Sequence, residues 1–270
     1  MTFVERSVRR VRHDSKRRLL QVQTVHKITP KTLRVTLTGK ELDGFVSSAY
    51  DDHVKLFFPS RPDALMPPNA VSTGPLFPDG SPTLASRDYT PRRYDASSNT
   101  LEIDFALHSD GPASRWAEQA SCGQFLGVGG PRGSFIVDGS FDWYLLVGDE
   151  TALPAIARRL EELTSAATAI VIAEVDSAEE EHQFRTDAQL EIKWLHRKNA
   201  EPTTTGLLAD AIASMRLPSG SGYTWIATES EAARALRRYL VEQRGFRKEW
   251  MKAAGYWRRG VSAIHDRHED

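Results

Sequence analysis

Three side chains in the run Arg87-Asp88-Tyr89-Thr90-Pro91-Arg92 could grip a nucleotide. Side chains alternate along an extended strand, so Arg87 and Tyr89 share one face while Thr90 takes the other. A guanidinium that can fork onto phosphate oxygens, next to an aromatic plane, suits a ligand carrying both a phosphate and a flat ring. The same spacing also describes a surface strand with a solvated arginine. A second candidate, Gly111-Pro112-Ala113-Ser114, follows closely on His108. Proline in a first turn with serine nearby marks a helix start. Such a start offers free N–H groups and partial positive charge to an anion, although an ordinary cap reads alike.

Two further strings join elements. No helical pattern follows the glycine-rich run Gly127–Ser134, so it is not a dinucleotide fingerprint. It predicts a turn between strands, with Arg132 exposed where it could meet an anion. Gly148, Asp149, Glu150 and Thr151 connect the apolar run WYLLV to a helical pattern, the place where α/β units bind nucleotides. Two acids and one glycine make a poor phosphate cradle, and a nicotinamide end fits there better. Near the C-terminus, Tyr256 and Trp257 precede Arg258 and Arg259. They form either an aromatic end folded on a flat cofactor or a sheet-edge strand with solvated arginines.

The elements that must position these residues fall into two halves. From Arg18 to about Val137, short runs rich in Val, Leu, Ile, Thr and Phe are punctuated by Gly, Pro and Asn. They predict a closed or nearly closed antiparallel barrel with a single helix, from Pro112. In TLEIDFALH, Leu101, Ile103, Phe105 and Leu107 face one way, and Glu102 and Asp104 the other. In HVKLFF, His53 and Lys55 oppose Val54 and Leu56. Residues 59–85 lack an apolar period and read as a long loop, either a mobile insertion or a lid. From Phe141, strands alternate with helices and predict a parallel sheet wound on both faces. The expected domains are 1–140, an antiparallel β-barrel, and 141–270, an α/β nucleotide-binding domain with a C-terminal tail.

Composition removes several function classes. Lys plus Arg number 35 against 36 acidic residues, so a net charge of −1 gives no global field for nucleic acid. Basic residues at 6, 9, 10, 12, 16, 17 and 18 have acidic neighbours and read as a solvated arm. The single cysteine, Cys122, excludes an intramolecular disulfide or a multi-cysteine metal site and reads as a packing residue. His265 and His268 lie in a charged tail without further metal-spaced partners. The chain holds no run of about 18 apolar residues for a membrane span. Nor does it open on a secretory signal. A cytoplasmic monomer is the expectation.

Taken in order, RDYTPR, HSDGPASRWA, GPRGS, GDETALPAI and GYWRRG resemble the siderophore-interacting protein family, over about residues 18 to 260. These are FAD-containing ferric-siderophore reductases related to ferredoxin reductases. The resemblance implies an FAD-holding barrel, then a nucleotide domain. It implies that Arg87, Tyr89 and Thr90 contact flavin and phosphates, and that His108 with Gly111, Pro112, Ala113 and Ser114 holds the pyrophosphate. Asp149, Glu150 and Thr151 would border flavin and nicotinamide, with Trp257 on the cofactor. Lys55 and Arg132 resemble the cations of an anionic ferric-siderophore pocket. Thr228 stands where the family commonly has glycine before glutamate. The implied chemistry passes electrons from NADH, NADPH or ferredoxin through FAD to Fe(III) in its chelate, with no catalytic side chain and no protein metal ligand. Glu174, ending the second strand of the α/β half, would repel a 2′-phosphate and leans to NADH. The alternatives are a general ferredoxin- or flavin-reductase flavoprotein, and a ferric-siderophore binder without catalysis.

Overall fold

The computed structural model describes residues 6–59, 85–108, 111–138, 141–260 and 266–268. Most of the 59–85 loop and most of the histidine-bearing tail lie outside these. The chain forms two units, Arg9–Ile136 and Val137–Asp270 with the N-terminal residues through Val8.

The first unit is built from strands β1 (Ser7–Arg12), β2 (Arg17–Thr29), β3 (Thr32–Thr38), β4 (Val54–Phe58), β5 (Ala85–Tyr89), β6 (Pro91–Asp95) and β7 (Thr100–Ala106). Helix α1 (Pro112–Gln119), β8 (Phe125–Gly129) and β9 (Gly133–Asp138) follow. Seven strands form one antiparallel sheet in the order β5-β4-β8-β2-β3-β7-β6, and β1 pairs with β9. Its two edge strands, β5 and β6, are separated by the single residue Thr90, so the sheet must curl until its edges meet. Pro91 opens β6 at an edge, where its missing N–H costs no ladder bond. Alternation fills the interior: Leu101, Ile103, Phe105, Val54, Leu56 and Phe58 are wholly buried. The small and apolar face of α1, carrying Ala113, Trp116 and Ala117, closes one side. Asp104, expected on the solvent face, is also buried, because Arg34 on the neighbouring strand holds it at 2.6 and 2.7 Å.

The second unit runs β10 (Trp143–Asp149), α2 (Leu153–Glu162), β11 (Thr168–Val175), β12 (Gln189–His196), α3 (Leu207–Ser214), β13 (Gly222–Glu229), α4 (Ser230–Arg244), β14 (Met251–Trp257) and β15 (Asp266–His268). The sheet order is β12-β11-β10-β13-β14-β15, parallel through β14. β10 is buried along its whole length because it lies in the middle. The chain leaves β10 on one side, through β11 and β12, and returns on the other as β13. The carboxyl ends of β10 and β13 are therefore the topological switch point, where sheets of this type bind ligands. Gly148 permits this junction, since a Cβ there would lie 2.6 Å from the Ala227 carbonyl oxygen. β15 pairs antiparallel with β14, so the Tyr256-Trp257 strand is not the sheet edge.

Candidate functional site

In the barrel unit, β5 carries its candidates in register with β4: Leu56 opposes Arg87, Lys55 opposes Asp88, and Val54 opposes Tyr89. Opposed residues share a face, so Arg87 and Tyr89 lie on one side of the pair and Lys55 with Asp88 on the other. The Tyr89 ring packs tilted at 4.6 Å from Phe105 and edge-on at 6.5 Å from Phe58. Burial pushes its hydroxyl far above the ordinary phenol range, opposed by the nearby Arg87 charge. Arg87 Nη1 donates to its neighbour's carbonyl, Ser86 O, at 2.8 Å. Thr90 is buried at the corner where the sheet curls.

Helix α1 starts beside the end of β7. The amide of His108 donates to Ser114 Oγ at 3.1 Å, tying the strand end to the helix's first turn. The His108 ring lies over Gly111, where a Cβ would come within 2.8 Å of Cε1. Gly111 is the N-cap without a capping side chain, and Pro112 has no N–H. The Ala113 and Ser114 amides thus precede any intrahelical acceptor and form an anion-ready start.

Lys55 and Arg132 are placed differently from each other. Lys55 Nζ donates to Asp88 Oδ1 at 2.7 Å. Arg132 is exposed on the turn between β8 and β9, and its carbonyl accepts from the His13 amide at 3.0 Å. Cys122, expected to pack, is exposed instead, because it falls in the polar turn after α1.

In the α/β unit, Asp149 joins residues from three segments. It is fully buried at the end of β10. Oδ1 accepts from the Thr151 amide and hydroxyl, and Oδ2 from Thr228 Oγ1 at 2.7 Å and Trp257 Nε1 at 2.8 Å. Glu150 receives both terminal nitrogens of Arg197, at 2.7 and 2.8 Å. Arg197 also stands 3.8 Å from Glu174, which accepts from the Thr203 amide. Desolvation raises both glutamates above the ordinary range, Glu150 further through Asp149, while Arg197 opposes the rise in each. Glu174 does not offer the free carboxylate that the leaning to NADH assumed: it is buried and committed to Arg197 and Thr203. Arg258 and Arg259 are not merely solvated, for Arg258 approaches Glu231 at 3.8 Å and Arg259 donates to Pro202 O at 2.9 Å.

Family models match both units: a siderophore-interacting FAD-binding domain over residues 21–135 and siderophore-interacting protein over 141–260. The NADPH-dependent ferric-chelate reductase of Escherichia coli is 38% identical across 95% of this chain and 99% of its own. The chain belongs to the siderophore-interacting protein family. Ferric vibriobactin reductase of Vibrio cholerae is 36% identical over 92% of this chain and 93% of its own. Among solved structures, a siderophore utilization protein from T. fusca superposes with a TM-score of 0.86 at 40% identity, covering 97% of this chain and 100% of that one. The fold is ferredoxin-reductase-like, the antiparallel sheet preceding the parallel one.

FAD, the cofactor of this family, fits the donor set of the barrel unit. Arg87 spends one donor on Ser86 O, α1 presents its first amides, and Tyr89 supplies an aromatic face. Two residues of this family member escaped the sequence. Arg197 is one, since its partners lie 47 and 23 positions away. Thr228 is the other: read as a departure from the family pattern, it is a buried donor to Asp149.

Proposed function

We propose that this family member is a ferric-siderophore reductase, an enzyme that takes electrons from NAD(P)H and releases iron from an anionic chelate as Fe(II). The observation that carries the reading is the barrel unit's pairing of the Arg87–Thr90 strand with the open start of α1. FAD held there would supply the redox chemistry, the conversion of a two-electron hydride donor into single electrons for chelated Fe(III). The protein's own work is positional. Arg87 and the Ala113 and Ser114 amides hold phosphate oxygens, with His108 fixed over the helix start and Tyr89 and Thr90 against the ring. In the α/β unit, Asp149, Glu150, Thr151 and Trp257 receive the nicotinamide end. Asp149 locks Thr151 and Trp257 in place through its two oxygens. Lys55 and Arg132 face the anionic chelate. The name of the Escherichia coli relative supports NADPH as donor, and dependence on the nicotinamide pool supports a cytoplasmic enzyme.

The test is anaerobic. The purified chain should be yellow, bleach under NADPH, and recover its colour when a ferric catecholate or ferric citrate is added, with Fe(II) trapped by a chromogenic chelator. A colourless protein that fails to bind added FAD overturns the reading.

A further inference from the structure

The basic run at the N-terminus is solvated along much of its length, with Arg9, Arg10, Arg12, Lys16 and Arg17 exposed, but it is paired in β1 and β2 and is no free arm. Arg6 lies near Asp142 and the rings of Phe141 and Trp250. Arg10 covers Phe135 at 5.9 Å, and Arg17 covers Phe57 at 5.7 Å. Of the four others, Arg12, Lys16 and Arg18 line a cavity of about 300 Å³ in the barrel unit together with Gly130 and Pro131, and Arg9 does not. Neither Lys55 nor Arg132 lines it.

Arg18 is the centre of this pocket. It is only 3% exposed. Its Nε donates to Glu41 O at 2.9 Å, and Nη1 donates to Lys16 O at 3.3 Å and Gly130 O at 2.8 Å. The guanidinium also lies 5.1 Å from the Phe45 ring centroid. All three acceptors are carbonyls and none of the bonds uses Nη2. The nearest acid, Glu41, gives Oε2 to the Leu19 amide at 2.6 Å. The fork is rigid before any ligand arrives, which removes the ordering cost of binding. Burial makes its charge expensive and lowers its pKa, and Glu41 and Tyr94 offset this only in part. Arg12 and Lys16 are exposed at the mouth, with no ion pair among the described residues. His13 stands between them, its Nε2 engaged with Ser134 Oγ at 2.7 Å. The one acid in the lining, Asp14, pairs with none of them.

We propose that this pocket binds a multiply charged oxyanion. Three permanent cations face a single carboxylate, so a monoanion leaves charge uncompensated, whereas a dianion balances it. The volume matches the lower end of small-molecule sites. Polycarboxylates and phosphates present the same chemistry, and the test separates them. The proposal does not rest on the reductase reading, because binding is measured without turnover.

The experiment is calorimetric titration of the FAD-saturated chain with citrate and, separately, with inorganic phosphate, at low and at physiological salt. We expect one site per chain, weakened by salt, with the pair Arg12→Gln/Lys16→Gln reducing affinity at least tenfold. Lys55→Ala/Arg132→Ala should leave it within twofold. Tighter citrate supports a polycarboxylate pocket and tighter phosphate a phosphate pocket. No saturable binding of either anion, or binding that survives in the Arg12/Lys16 variant, overturns the proposal. The single variant Lys16→Glu, at an exposed position that does not threaten folding, should abolish binding by reversing charge at the mouth.

Discussion

Single side chains in this protein act through what they fix rather than through acid–base chemistry. Arg87 is half-buried on β5 with one donor bonded to the Ser86 carbonyl, so most of its fork remains for phosphate. Arg87→Ala should weaken FAD binding by about 1.5–3 kcal/mol, the scale of a hydrogen bond to a charged group. Fluorescence titration of the apoprotein checks this, and full FAD affinity in the variant removes the strand from the cofactor site. Asp149 offers a complementary case. Two donors reach each of its oxygens in a fully buried setting, and losing one leaves a carboxylate lone pair unsatisfied. Thr228→Val keeps the shape and removes one donor. We expect a loss of about 1–3 kcal/mol in chemical denaturation, and an unchanged midpoint would show that the Thr228 bond is dispensable.

Between elements, the ion cluster at the ends of β10, β11 and β12 decides more than any single strand does. Arg197 forks onto Glu150 and shares its one charge with Glu174, and removing one partner of a buried pair leaves charge without compensation. Arg197→Met should destabilise the fold by about 3–5 kcal/mol at neutral pH. Both carboxyls already have raised pKa values, so the folded state holds their protons more tightly than the unfolded chain does. Stability from these groups is therefore greatest at low pH and falls as pH rises through their folded values. The deficit of the variant should shrink on going from pH 8 to pH 5, because carboxyls whose pKa values are raised take up protons as the pH falls. Thermal melts of both proteins at the two pH values test this, and a constant deficit would mean that Arg197 acts through packing alone. The elements themselves were largely legible, because runs such as TAIVIAEV and the Leu153-Ile156-Leu160 spacing carry their period locally. β6 escaped because Pro91-Arg92-Arg93-Tyr94-Asp95 has no alternation; its strand character comes from pairing with β7. The connection from β11 to β12 has only a single 3-10 turn, so these two strands follow each other without a helix between them. Partners of the kind that Arg197 finds leave no mark in local sequence, since the sheet order alone brings residues 150, 174 and 197 together.

At the scale of the whole molecule, a net charge of −1 cannot draw an anionic chelate toward the protein, so attraction must come from local cations. Lys55 and Arg132 are the residues assigned to that task, yet Lys55 shares its charge with Asp88 at 2.7 Å, and its side chain is 40% exposed. This pairing makes the electrostatic reading testable in both directions. Lys55→Ala and Arg132→Ala should each raise KM for an anionic ferric chelate about two- to fivefold, as expected for exposed charges. Asp88→Asn should lower KM, because it removes the acid that compensates Lys55 while keeping the strand's shape. All three effects should diminish with added salt, since screening acts over about 8–10 Å near physiological ionic strength. FAD content and the rate of flavin reduction by NADPH should hardly change, as none of the three residues belongs to those steps. Steady-state kinetics at two salt concentrations provides the measurement. If Asp88→Asn raises KM alongside the other two variants, the pair matters as a structural brace and not as a source of positive charge. A KM that is flat across all three variants would leave the chelate without Lys55 and Arg132 as its contacts.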